Sequence, residues 1–228
     1  MSLKPSNTSD PLLDKFWEKG LVLFGDRVQE EYALKTPVFI DLRHKLYDDL
    51  EMLSALGCAL HEKLHRVVKC EGCSEIPQQL IGIPDTATPL ALATALASRH
   101  TSWPVGYGQM RKKPASYPGG RSGGSSYMGT IDTNRQVTLI DDVMASGRTK
   151  HWAISELERE GITVARVLVV VDREQDDRNK LGRLPCPMYS LYTITELIEY
   201  YNGTGRIDQA TTHLALAHVN TRRSVRAK

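Results

Sequence analysis

Apolar and polar positions along the chain alternate with two different periods, and the switches between them mark the elements. In "DDLEMLSALGCALHEKLH", Leu50, Leu53, Leu56, Leu60 and Leu64 recur at helical spacing, which predicts a helix with one buried face. "SDPLLDKFWEKG" reads as a short helix capped by Ser9 or Asp10, opened by Pro11 and stopped at Gly20. "PVFIDLR" is a strand candidate. From there strands and helices alternate. "QQLIGI", "WPVGYGQM", "RQVTLIDDV", "TVARVLVVVD" and "PMYSLYT" read as strands. "TPLALATALASRH", opened by Pro89, "TKHWAISELEREG", ended at Gly161, and "ITELIEYYN" read as helices. Several of the strands are apolar on both faces. The expected class is therefore α/β: a central, mostly parallel sheet flanked by helices, with ligands bound beyond the carboxyl ends of the strands.

Composition narrows this picture only a little. The 228 residues suit a single domain, 1–228. Hydrophobic residues make up 41% and charged residues 25%, with a net charge of +2, too mild for nucleic acid as the main partner. No apolar run approaches the roughly 20 residues of a membrane helix, so no membrane partner is expected. "MSLKPSNTSD" lacks the apolar centre of a signal peptide, and a cytoplasmic protein with free thiols is expected. Cys70 and Cys73 form one C-x-x-C, read as a surface loop, with a metal or redox role as the alternative. Basic residues gather in "MRKKPASYPGGR" and in a tail over 218–228.

The densest chemistry lies in "VTLIDDVMASGRTK", residues 137–150. An apolar strand runs into Asp141 and Asp142, then through Ala145, Ser146, Gly147, Arg148 and Thr149 into a helix. A compact turn at a helix amino terminus presents free N–H groups and the positive dipole end, which suits a phosphate. Gly147 permits close approach, Ser146 and Thr149 add hydroxyls, and Arg148 adds charge. The two carboxylates repel that phosphate and need donors or a cation of their own. A sugar diol supplies the donors and Mg²⁺ the charge, so the stretch describes a site for a phosphorylated ribose. The plainer alternative is that the aspartates cap the next helix.

These residues resemble the phosphoribosyl-pyrophosphate signature of the type I phosphoribosyltransferases. "LVLFGDRVQEEYALKTPVFIDLR", "LIGIPDTATPLALATALA", "MRKKPASY", "VVVDREQ" and "LYTITELIEYYNGTGRID" resemble the orotate phosphoribosyltransferase branch, over roughly residues 12 to 215. The resemblance implies a parallel sheet with a small amino-terminal hood, here largely 20–45. It implies Mg²⁺-dependent transfer of phosphoribosyl from phosphoribosyl pyrophosphate to orotate, giving orotidine 5′-monophosphate and pyrophosphate in pyrimidine biosynthesis. By position, Asp141 and Asp142 match the ribose-diol carboxylates, and 145–149 match the 5′-phosphate loop. Pro84 to Thr88, with Asp85, Thr86 and Ala87 at their centre, match the pyrophosphate loop. Lys35, Phe39, Ile40 and Arg173 match orotate contacts. Arg111, Lys112 and Lys113 stand at the start of a flexible catalytic loop, 112–127, that reaches a neighbouring subunit, so a homodimer with shared active sites is implied. Mg²⁺ would arrive with the substrate, and Asp142 is the protein's candidate ligand for it. Judged by residue chemistry alone, Arg173 could equally form a surface ion pair with Asp172 or Glu174, and Lys35 could be a solvated loop lysine.

The chain departs from the family pattern at three places. The loop usually reads R-K-x-x-K-x-[HY]-G, and its second lysine falls here on Ala115. Asp85 stands where an aromatic is common. "ALKTPVF" is shorter than the family's lysine-serine-glycine stretch. The departures keep open a paralogue that binds phosphoribosyl pyrophosphate in a regulatory role or serves another base.

Overall fold

The computed structural model describes residues 9–76, 78–111, 126–130, 134–175 and 183–224. The expected loop residues Lys112, Lys113 and Ala115 lie outside them.

A six-stranded sheet carries the fold, in the order β5-β4-β3-β6-β7-β8. Its strands are β3 (Gln78–Gly82), β4 (Gly106–Met110), β5 (Tyr127–Met128), β6 (Gln136–Met144), β7 (Val164–Asp172) and β8 (Met188–Thr193). All pairings are parallel except β4 with β5. The apolar run "VLVVV" is fully buried, as a strand covered on both faces requires. Helix α5 (Ala87–Ser98) links β3 to β4, and α6 (Arg148–Arg159) links β6 to β7. These two crossovers run in opposite directions from the centre of the sheet. Right-handed crossovers then put α5 and α6 on opposite faces, and the strand order reverses between β3 and β6.

The long α4 (Leu50–Cys70) packs against α5 through its leucine stripe, with Leu56, Leu60 and Leu64 fully buried. Helix α1 (Pro11–Glu18) begins as its sequence indicates: Asp10 accepts the Leu12 and Leu13 N–H groups, and Pro11 opens the turn. The amino-terminal hood combines β1 (Val22–Phe24) and β2 (Val38–Ile40), paired antiparallel, with α2 (Asp26–Tyr32) and the short α3 (Leu42–Lys45). Phe24 and Trp17 both pack on Tyr201 of α7 (Ile194–Gly203), which ties the hood to the end of the chain. A final helix, α8 (Gln209–Ser224), extends into the stretch expected as a basic tail, and its Ala215 and Val219 are buried. Cys70 ends α4 exposed, Cys73 packs against the hydrophobic core, and both are free thiols. Among the described residues no helix is long and apolar enough to cross a membrane.

Candidate active site

The reversal between β3 and β6 brings two strand ends together. Ile83 N–H donates to the Ile140 carbonyl at 2.9 Å, so the segment leaving β3 lies against β6 just before its aspartates. That segment folds tightly over Gly82. A Cβ at Gly82 would meet the Ala87 carbonyl oxygen at 2.3 Å, so only glycine admits this path. The Pro84–Asp85 peptide is cis. Thr86 and Ala87 are buried and Asp85 is exposed.

Strand β6 continues through both aspartates to Met144, after which 145–147 turn into α6. Gly147 holds a left-handed conformation, φ 77°, at the amino end of α6, and no side chain caps the helix there. The N–H groups of its first turn therefore have no side-chain acceptor, which is the electrostatic setting an anion needs. Ala145 and Ser146 line the turn half-buried, while Arg148 and Thr149 are exposed.

The two aspartates differ sharply. Asp141 is 6% exposed. Its Oδ2 lies 2.5 Å from the ammonium of Lys150, and its Oδ1 accepts the Asp142 N–H at 3.0 Å. Lys150, only 3% exposed, also donates to the Val143 carbonyl. Burial pushes the Asp141 carboxyl up to about 6; the Lys150 charge opposes this and the Asp142 charge adds to it. Asp142 is half-buried, and its Oδ1 accepts the Val143 N–H at 2.7 Å.

The end of β7 joins the same edge. Arg173 N–H donates to the Met144 carbonyl at 2.9 Å, so Arg173 emerges beside the turn after β6. Asp172 accepts the Glu174 N–H at 2.8 Å, and Glu174 accepts the N–H and hydroxyl of Thr195. Arg111 leaves β4 with its N–H on the Ser126 carbonyl at 2.7 Å. In the hood, Phe39 and Ile40 are half-buried on β2, Phe39 packs on Tyr32 at 4.7 Å between ring centroids, and Lys35 is exposed.

Two residues of this edge escape a sequence reading. Arg43, on α3, places its Nε 3.2 Å from the Thr86 hydroxyl and so brings a guanidinium from the hood to the loop after β3. The loop and α3 are far apart in sequence, and only the fold joins them. Asp41 holds α3 in place: it accepts the His44 N–H at 2.9 Å and the Tyr32 hydroxyl, and these bonds, opposing the upward effect of burial, leave its carboxyl below the usual range. Lys150 is the second. It opens the buried stripe Lys150, Ala153, Ile154 and Leu157 of α6, and a charge in that stripe was the available signal.

No family model matches the chain. An orotate phosphoribosyltransferase of Chlamydia caviae is 25% identical over 201 residues, 87% of this chain and 88% of that protein. The chain is similar to orotate phosphoribosyltransferases over most of its length. Its fold is also theirs. The orotate phosphoribosyltransferase of Francisella tularensis superposes with a TM-score of 0.66 at 19% identity, covering 92% of this chain and 97% of that one. The Leishmania donovani UMP synthase superposes with a TM-score of 0.69 at 21% identity over 92% of this chain, which spans 42% of that longer protein. The α/β architecture expected from the alternating pattern is thus that of the type I phosphoribosyltransferases.

Proposed function

We propose that this chain transfers the 5-phosphoribosyl group of phosphoribosyl pyrophosphate to orotate, forming orotidine 5′-monophosphate and pyrophosphate. The observation that carries the reading is the junction of β6 and α6, where a carboxylate pair stands next to an uncapped helix amino terminus at the reversal of a parallel sheet. Its amides suit the 5′-phosphate, and Asp142, backed by Asp141, suits the ribose hydroxyls.

In the reaction the bond from ribose C1 to the pyrophosphate oxygen breaks, and a bond from C1 to a ring nitrogen of orotate forms. The sugar gains oxocarbenium character and the leaving group gains negative charge. Arg43, which reaches the loop after β3 at Thr86, suits that charge. Arg173 suits a carboxylate of the base as a planar, two-pronged donor, and Phe39 and Ile40 line the hood side. Arg111, Lys112 and Lys113 begin the segment assigned to closing the site and excluding water.

Among the described residues no cluster of three or more His, Cys, Asp or Glu gathers. The half-buried Asp142 beside a phosphate turn fits a cation carried mainly by substrate oxygens, as Mg²⁺ commonly is. When bound, Mg²⁺ would neutralise part of the diphosphate charge. A homodimer with shared sites and a cytoplasmic location belong to the same reading. The regulatory or altered-base alternative, raised by Ala115, is not favoured, because the relatives over most of the chain bear the name of the enzyme.

The test is direct. With phosphoribosyl pyrophosphate, Mg²⁺ and orotate, loss of orotate absorbance should proceed at an ordinary enzymatic rate, about 1–10³ per second. Binding of phosphoribosyl pyrophosphate without turnover would overturn the transferase reading.

A further inference from the structure

A buried carboxylate is costly unless donors surround it, and Asp41 of the hood, 2% exposed, is surrounded from two sides. Its Oδ2 accepts the Tyr32 hydroxyl at the end of α2. Its Oδ1 accepts the His44 N–H at 2.9 Å and lies 3.0 Å from His44 Nδ1. Its own N–H donates to the Leu21 carbonyl at 2.9 Å, which fixes the backbone beneath the carboxylate. The two arms lead to different ends of the site. Beyond Tyr32 the chain passes through Ala33, left-handed at φ 53°, and Lys35 to Phe39, whose ring returns onto Tyr32 at 4.7 Å between centroids. That loop carries the residues assigned to the base. His44 belongs to α3, whose four residues also carry Arg43 to the Thr86 hydroxyl at 3.2 Å, on the loop assigned to the pyrophosphate. A helix of one turn is poorly stabilised by its own hydrogen bonds, so its cap decides how firmly it stands.

We propose that Asp41 is a positioning residue that couples the two ends of the site. Through Tyr32 it sets the loop that meets orotate, and through the cap of α3 it aims Arg43 at the departing pyrophosphate. The inference rests on the transferase reading and adds to it a single buried carboxylate on which base recognition and leaving-group stabilisation are both built. Asp41 itself needs no contact with either substrate.

Steady-state kinetics on the full chain separate the two arms. Tyr32→Phe keeps the ring against Phe39 and removes only the hydroxyl, so it should raise the orotate KM about fivefold with kcat nearly unchanged. Asp41→Ala should raise that KM at least as far and also lower kcat about tenfold. Adding Arg43→Ala to Asp41→Ala should cost little more in kcat, because Asp41 acts through Arg43. Asp41→Ser leaves one oxygen for the His44 amide, so it should recover most of kcat while the orotate KM stays raised. A merely structural role would lower kcat in proportion to the folded fraction and leave the orotate KM alone. An unchanged orotate KM in Tyr32→Phe, or kcat losses of Asp41→Ala and Arg43→Ala that multiply in full, would overturn the inference. Should Asp41→Ala fail to fold, Asp41→Ser carries the test: a raised orotate KM with kcat held supports the inference, and an unchanged KM overturns it. A wild-type protein without turnover would overturn the transferase reading itself, and this inference with it.

Discussion

At the amino end of the sheet, Arg166 of β7 is as buried as Lys150 is at the carboxyl end, yet the two are held quite differently. The Arg166 guanidinium spends all five of its N–H groups on the protein. Nε and Nη2 donate to Glu71 at 3.0 and 2.7 Å, Nη2 also to Gln136 at 2.6 Å, and Nη1 to Gln78 and Thr138 at 2.8 and 3.2 Å. Tyr189 completes the network by donating to the other Glu71 oxygen at 2.8 Å. This end ties the end of α4 to four strands and leaves nothing for a ligand. At the other end Lys150 and Asp141 neutralise each other, but their surroundings stay open: Asp142 half-buried, Arg148 and Thr149 exposed, a helix terminus uncapped. A closed polar network fixes the architecture, and an incomplete one makes a binding edge.

The contrast can be broken most severely at the closed end. Glu71→Ala leaves the Arg166 charge buried without its carboxylate and should cost roughly 3 kcal/mol in denaturant unfolding. The folded fraction should still bind ribose 5-phosphate normally. A loss below about 1 kcal/mol, the worth of an ordinary neutral hydrogen bond, would mean that the network is not closed. At the open end the pattern should invert. Asp141→Asn combined with Asp142→Asn should weaken ribose-phosphate binding about a hundredfold or more while the fold survives, as judged by circular dichroism and calorimetry. Normal binding by that variant would refute the assignment of the turn.

Arg43→Ala sharpens the comparison further. This exposed side chain contributes a single bond to Thr86, so the melting temperature should barely move. Turnover should fall about tenfold if its guanidinium meets the departing pyrophosphate; unchanged kinetics would remove it from the site. The gentlest probe is pH. Burial raises the Asp141 carboxyl from 3.8 to about 6, so in that window the folded chain holds the proton more tightly than the unfolded one. Ionised Asp141 therefore destabilises the fold above about pH 6, and the penalty is relieved as pH falls towards 3.8. Measured against Asp141→Asn, the wild type should gain stability across that interval. A constant difference would place the carboxyl's titration elsewhere.

Much of this was legible in the chain itself, because local patterns carry it. The leucine spacing of α4, the β-branched run of β7, the Asp10–Pro11 helix start and the small-residue turn after Asp142 each follow from neighbours in sequence. Those signals were enough to predict the alternating sheet and the turn from β6 into α6. The hood was harder. Its strands have three residues each, too few to show a period, and it is fixed by packing on Tyr201 far along the chain.

Sequence alone determined the alternation of the main strands with their helices and which residues gather at the end of β6, since backbone geometry and hydrophobic period are properties of adjacent residues. Only the tertiary structure decided how that chemistry is shared. It set Lys150 on Asp141, Arg43 on Thr86 and Arg166 on Glu71. Which charges meet depends on how strands and helices pack, and burial then makes those meetings matter by removing the water that would otherwise screen them.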